Sequence, residues 1–97
     1  MANFALINKD NVVIDVITVR NEYLLDENET EVEQKGIDYL INFQKIKEIN
    51  PEVDLIKQTS YNGNFRGVFA GIGFTYDAEN DVFIEPTEEY DTNDIKI

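Results

Sequence analysis

The sequence predicts a small α+β domain of order β-β-α-β-β-β, with one helix packed across a mainly antiparallel sheet. Three observations carry that prediction: apolar residues alternate with period two toward both ends of the chain, one stretch between them has helical spacing, and turn residues mark the junctions. Ninety-seven residues allow a single core, because a domain of this size buries only ~60–65% of its unfolded surface. The expected domain spans residues 1–86, and residues 87–97 form an acidic C-terminal tail.

Phe4 and Leu6, then Val12, Ile14, Val16 and Thr18, alternate on either side of the polar turn Asn8-Lys9-Asp10-Asn11. This predicts a hairpin with strands near Asn3–Ile7 and Val12–Val19. The interleaved Val13 and Ile17 are apolar too, so the second strand is expected to be covered on both faces. Asn21–Glu29 is an acid-rich connector with Tyr23, Leu24 and Leu25 as its apolar anchors. Thr30-Glu31-Val32-Glu33 has the Ser/Thr-x-x-Glu form of a capping box. Ile37, Leu40 and Ile41 then recur at helical spacing, Lys45 and Lys47 suit the C-terminal end of the dipole, and Pro51 ends the segment. One helix is expected from Glu31 to Lys47. Gly36 inside it costs about 1 kcal/mol against alanine, a sign that the helix approaches a sheet closely.

Strand character returns from Val53 through Tyr61, and Asn62-Gly63 is a strong hairpin signal. Phe65–Ala70 is expected to pair back, Gly71-Ile72-Gly73 to bend, and Gly73–Tyr76 to open a further strand. Asp77–Asp81 forms the next turn, and Val82-Phe83-Ile84 returns before Pro86.

Composition excludes much chemistry. With no cysteine and no histidine, disulfides, thiolate sites and the commonest general base and metal ligand are all missing. Hydrophobic content of 42% supports a globular core, and no apolar run is long enough to span a membrane. The first ten residues lack the basic and apolar regions of a secretory signal. Twenty acids against eight bases give a net charge of −12, which argues against direct binding to a nucleic-acid backbone. The acids gather in two blocks, Glu22 to Glu33 and Glu85 to Asp94, which serve solubility or face a basic partner, mimicry of DNA phosphates included.

Local patterns that imitate sites have simpler accounts. Asp77, Glu79, Asp81 and Glu88 match positions 1, 3, 5 and 12 of a calcium loop, but Val82 stands where the loop needs glycine. A hairpin turn is the expectation there, with no metal and no cofactor. Gly63, Gly67, Gly71 and Gly73 fit neither a phosphate loop nor a dinucleotide fingerprint, because no helix opens after them. Arg66 is the only base of the glycine-rich region; it is expected to pair with Asp77 or Glu79 or to stack on a tyrosine, and otherwise to meet a partner. The aromatics Tyr61, Phe65, Phe69, Phe74, Tyr76 and Phe83 are expected mostly in the core. No catalytic constellation is found, and an enzyme is not expected.

The segments MANFALINKDNVVIDVI and QTSYNGNFRGVFAGIGFTYDAENDVFIEP resemble a group of small uncharacterised proteins of marine tailed phages, T4-like cyanophages above all. Phe4-Ala5-Leu6-Ile7, Gln58–Asn62, Phe69–Asp77 and Phe83–Pro86 carry the likeness. The chain departs at Ile56-Lys57, where such proteins often have a tryptophan, and in its acidic Thr87–Ile97 tail. The resemblance implies a phage gene product and transfers no functional residue.

The expected function is therefore that of a non-enzymatic structural or accessory protein of a phage particle (capsid, neck or tail). It would work through contacts with other phage subunits or its own copies, in the virion or the infected host cytoplasm. Sheet edges and aromatic side chains are the expected means of contact. Tyr61, Arg66, Tyr76, Glu88 and Glu89 are the residues expected to meet a partner. The alternative is an acidic infection-phase regulator that captures a basic host protein.

Overall fold

The computed structural model describes residues 1–86, and among them it has five strands in two antiparallel sheets and one main helix, an α+β domain. Strands β1 (Ala2–Ile7), β2 (Val13–Val19) and β3 (Leu55–Thr59) form one sheet in the order β2-β1-β3. Helix α1 (Glu33–Asn42) and the single turn α2 (Ile46–Ile49) lie between β2 and β3 in the chain. Strands β4 (Thr75–Asp77) and β5 (Val82–Ile84) form a separate hairpin. No helix among the described residues is long and apolar enough to cross a membrane.

The central strand organises the packing. Ala2, Phe4 and Leu6 point to one face of β1, where they meet Val19, Leu24, Leu40, Val53 and Ile56 beneath α1. Ala5 and Ile7 point to the other face and meet Val13, Ala70, Tyr76 and Phe83 beneath the β4–β5 hairpin. The period of two thus divides one strand between two apolar clusters, and the sheet is the middle layer.

The strand covered on both faces is β1, whereas β2 was the one expected to be. Strand β2 contributes to both clusters, but it lies at the sheet edge with Asp15 and Thr18 exposed. A bulge explains its mixed pattern. Leu6 lies opposite Asp15 and Ile7 opposite Val13, so Ile14 is the extra residue and the alternation changes phase there.

The helix is shorter than its periodicity suggests. Residue Val32 precedes α1 without a side-chain cap, and Thr30 instead gives its amide to the Asp26 carboxylate at 3.0 Å. The expected capping box does not form, because Glu33 is drawn into contacts with distant residues. The C-terminal end stops at Asn42, and Lys45 adopts a left-handed backbone (φ 55°) that separates α1 from α2. Gly36 behaves as expected: it is buried on α1, and a Cβ there would overlap the Phe4 ring and lie 3.1 Å from Leu24 Cγ.

Residues 65–70 are not a strand. Gly63, Arg66 and Gly67 all have positive φ (68°, 58° and 78°), which breaks an extended ladder. The segment keeps one parallel bridge, Gly67 to Phe83, and the Ala70 amide donates to Thr59 Oγ1 at 2.9 Å. At Asn62-Gly63 the chain does turn, with the Gly63 amide donating to the Ser60 carbonyl at 2.9 Å, but no hairpin follows. The Asp77–Asp81 turn forms as expected: Asp77 accepts from the amides of Glu79 (3.0 Å) and Asn80 (3.2 Å) and joins β4 to β5.

Candidate functional site

The densest polar cluster is built on Arg66. Its left-handed backbone sits in the loop between β3 and β4, and its side chain is only 14% exposed. Nη1 donates to Glu33 Oε2 at 2.7 Å and to the Gln58 carbonyl at 3.0 Å, while Nη2 donates to Glu33 Oε1 at 3.1 Å. Nε donates to Asp81 Oδ1 at 2.7 Å. The same Glu33 carboxylate accepts from the Gln58 amide at 2.6 Å. The Tyr76 hydroxyl completes the cluster by donating to Asp81. Four segments therefore meet at one guanidinium: the first turn of α1, β3, the loop and the β4–β5 hairpin.

The geometry is that of a clamp. A planar fork with fixed donors suits two carboxylates and a carbonyl at once. Burial disfavours the Arg66 charge, but its hydrogen bonds to Glu33 and then to Asp81 outweigh it and hold the guanidinium protonated beyond its ordinary value. The Tyr76 hydrogen bond, followed by that of Arg66, keeps the Asp81 carboxyl below the usual aspartate range. Burial first, and then the bond to Asp81, pushes the Tyr76 phenol from 10.0 up to about 12. Each of the three guanidinium nitrogens donates to a group of the same domain.

These shifts predict a pH dependence. The raised Tyr76 value means that the folded state holds a proton the unfolded chain releases, so its stability contribution is present below pH 10 and is lost toward about 12. The lowered Asp81 value acts at the other end: its contribution is present above the ordinary 3.8 and is lost as pH falls through the folded value. Urea midpoints followed through the alkaline range should fall for the native chain, and Tyr76→Phe should flatten that fall. An unchanged alkaline slope in Tyr76→Phe would show that the phenol does not contribute.

The structure separates the residues expected to meet a partner. Arg66 and Tyr76 turn inward: four of the five guanidinium N–H groups donate to acceptors of the same domain, and Tyr76 is 4% exposed. The acceptors are Glu33 and Asp81, whereas Asp77 or Glu79, or a tyrosine face, was expected; Asp77 is taken by the turn amides and by Asn80 Nδ2. Tyr61 is 74% exposed and rests edge-on against Phe69, with ring centroids 5.3 Å apart. Glu88 and Glu89, like the rest of the Thr87–Ile97 tail, lie outside the described residues.

Two aromatic surfaces are displayed. The first belongs to the loop around Tyr61, where Phe65, Val68 and Ile72 (70%) are also exposed. Residues 55–76 contain no Asp or Glu in a chain that has twenty. That gap is legible in the sequence, in the same stretch as the glycines and aromatics. The second surface joins Tyr23, Tyr39 and Phe43 at the C-terminal part of α1. No protein-family model matches this chain, nor does any curated protein or any solved structure.

Proposed function

We propose that this protein is a non-enzymatic structural or accessory protein of a phage particle that works through protein–protein contacts, with the acid-free loop around Tyr61 as its contact surface. One observation carries the reading: the exposed apolar side chains Tyr61, Phe65, Val68 and Ile72 lie in the single long stretch without a carboxylate. Copies of a chain with net charge −12 repel one another, and repulsion is least where acids are missing. Exposed aromatic and aliphatic groups supply the desolvation energy that an interface needs. The sequence resemblance to phage proteins supports the particle as the setting.

Two measurements test this. Mass spectrometry of purified particles from the phage that encodes the chain should find it in the virion, and its absence would end the particle assignment. Sedimentation velocity should show association that the double variant Tyr61→Asp/Ile72→Asp reduces at least ten-fold, because it places charges on the contact surface while leaving both apolar clusters intact. A monomer at all concentrations that also fails to bind particles would overturn the contact surface.

The acidic regulator is a second reading, favoured by the exposed Glu22, Glu27, Glu29 and Glu31. A salt-sensitive nucleic-acid-binding protein recovered from host lysate would support it.

A further inference from the structure

The second aromatic surface stands apart from the Tyr61 loop. Tyr23, in the 3-10 turn Asn21–Leu24, stacks on Tyr39 of α1 with centroids 4.2 Å apart and planes 8° from parallel. Phe43, just past the end of α1, meets Tyr39 edge-on at 5.7 Å. The three rings and Leu25 line an open groove rimmed by Lys35, Asp38 and Asn42. Phe43 is 76% exposed, although it follows a helix with an amphipathic face and a buried glycine. A large aromatic left so open at the end of a helix adds nothing to the core.

The groove's own lining carries one acid, Asp38, and one base, Lys35, so the acids in the chain beside it set the sign of the charge it attracts. Between Arg20 and Lys35 the chain carries Glu22, Asp26, Glu27, Glu29, Glu31 and Glu33 with no base. Of these only Glu33 has a salt-bridge partner among the described residues. Asp26 is held ionised by the Thr30 amide first and then the Asn28 amide, which pull its carboxyl below the usual range. Asp38, on the groove rim, accepts only from Gln34 Nε2 at 2.9 Å among the described residues, so a carboxylate stands beside the rings. An acidic field attracts cations, and aromatic faces hold them at short range. Among cationic side chains arginine fits both features, because its planar guanidinium stacks on a ring while its edge meets a carboxylate.

We propose that the Tyr23–Tyr39–Phe43 groove binds an arginine side chain of a basic protein segment, with the guanidinium on the Phe43 ring and its edge toward Asp38. The acids of residues 22–31 bring the segment in and the rings select arginine over lysine.

NMR titration of the full chain with a nine-residue arginine peptide, its lysine counterpart and a glutamate control tests the inference. The arginine peptide should shift the ring resonances of Tyr23, Tyr39 and Phe43 and bind more tightly than the lysine peptide. Phe43→Ala should weaken arginine binding roughly two- to five-fold, the effect of one exposed cation–π contact. Asp38→Asn should weaken it as well, and Tyr61→Ala should leave it unchanged. Because Phe43 is exposed, its variant should retain the native melting temperature. Equal binding of both cationic peptides, undisturbed by Phe43→Ala and abolished by salt, would overturn the groove and leave diffuse attraction to the acids. No binding by either cationic peptide would overturn it too, without bearing on the Tyr61 surface.

Discussion

Replacement of Arg66 by alanine is expected to lower the unfolding free energy by about 3 kcal/mol, toward the lower end of the range for breaking a buried ion pair because Glu33 and Asp81 keep some contact with water. The loss has three sources. Glu33 keeps the Gln58 amide but loses both guanidinium bonds, the Gln58 carbonyl loses its donor, and Asp81 keeps only Tyr76. Arg66→Lys should recover little, since one ammonium cannot reach two carboxylates and a carbonyl in the fork geometry. Arg66→Gly should be more stable than Arg66→Ala by about 1 kcal/mol, because the backbone at 66 is left-handed (φ 58°) and glycine adopts that conformation without strain. Urea unfolding followed by far-UV circular dichroism measures all three. A cost below about 1 kcal/mol for Arg66→Ala, within the range of an exposed pair, would show that the cluster is a surface feature.

Gly36→Ala is expected to destabilise the protein by up to about 2 kcal/mol, although alanine is the better helix former. The propensity gain is about 1 kcal/mol. Against it stands the overlap of the new methyl with the Phe4 ring and its close approach to Leu24, both fully buried. Overpacking of this kind costs about 1–3 kcal/mol in a close-packed interior. The cause is checked by a double-mutant cycle. With Phe4→Leu the ring is gone, so Gly36→Ala should become neutral or stabilising, and the coupling between the two positions should exceed about 1 kcal/mol. Additive effects would mean that the helix moves away from the sheet at little cost.

The elements legible in the sequence are those whose pattern is local. Alternation marks β1, β2, β3 and the β4–β5 hairpin, Asp77 marks its own turn, and Gly36 announces a close helix–sheet contact. Tertiary partners decide the rest. Thr30 and Glu33 have the spacing of a capping box, but Glu33 gains more from Gln58 and Arg66, residues 25 and 33 positions away. Phe65–Ala70 has strand composition, yet Gly63, Arg66 and Gly67 take positive φ so that the loop can bring Arg66 to Glu33. The lone base of the glycine-rich region was the visible signal for the cluster, while its partners were not, because any of twenty carboxylates satisfies the charge. The both-face burial of β1 was obscured by the bulge at Ile14, which changes the phase of its neighbour.

The bonds that Gln58 makes with Glu33 and Arg66 have a consequence for how the chain comes together in time. Its amide and carbonyl point away from β1, so the clamp occupies the outer side of β3 where another strand would attach. On the far side of the sheet, the Val16 amide of β2 is taken by its neighbour Asp15 at 2.8 Å. Both borders of the finished sheet are thus partly closed to strand addition, and association is left to side chains. A chain emerging from the ribosome has its three sheet strands by Thr59 but lacks Arg66 and the hairpin. Until those residues arrive, the β3 border is open and Ala5, Ile7 and Val13 are uncovered. Residues 60–86 act as a closure on residues 1–59, and the period before they dock is when the protein is most exposed to aggregation.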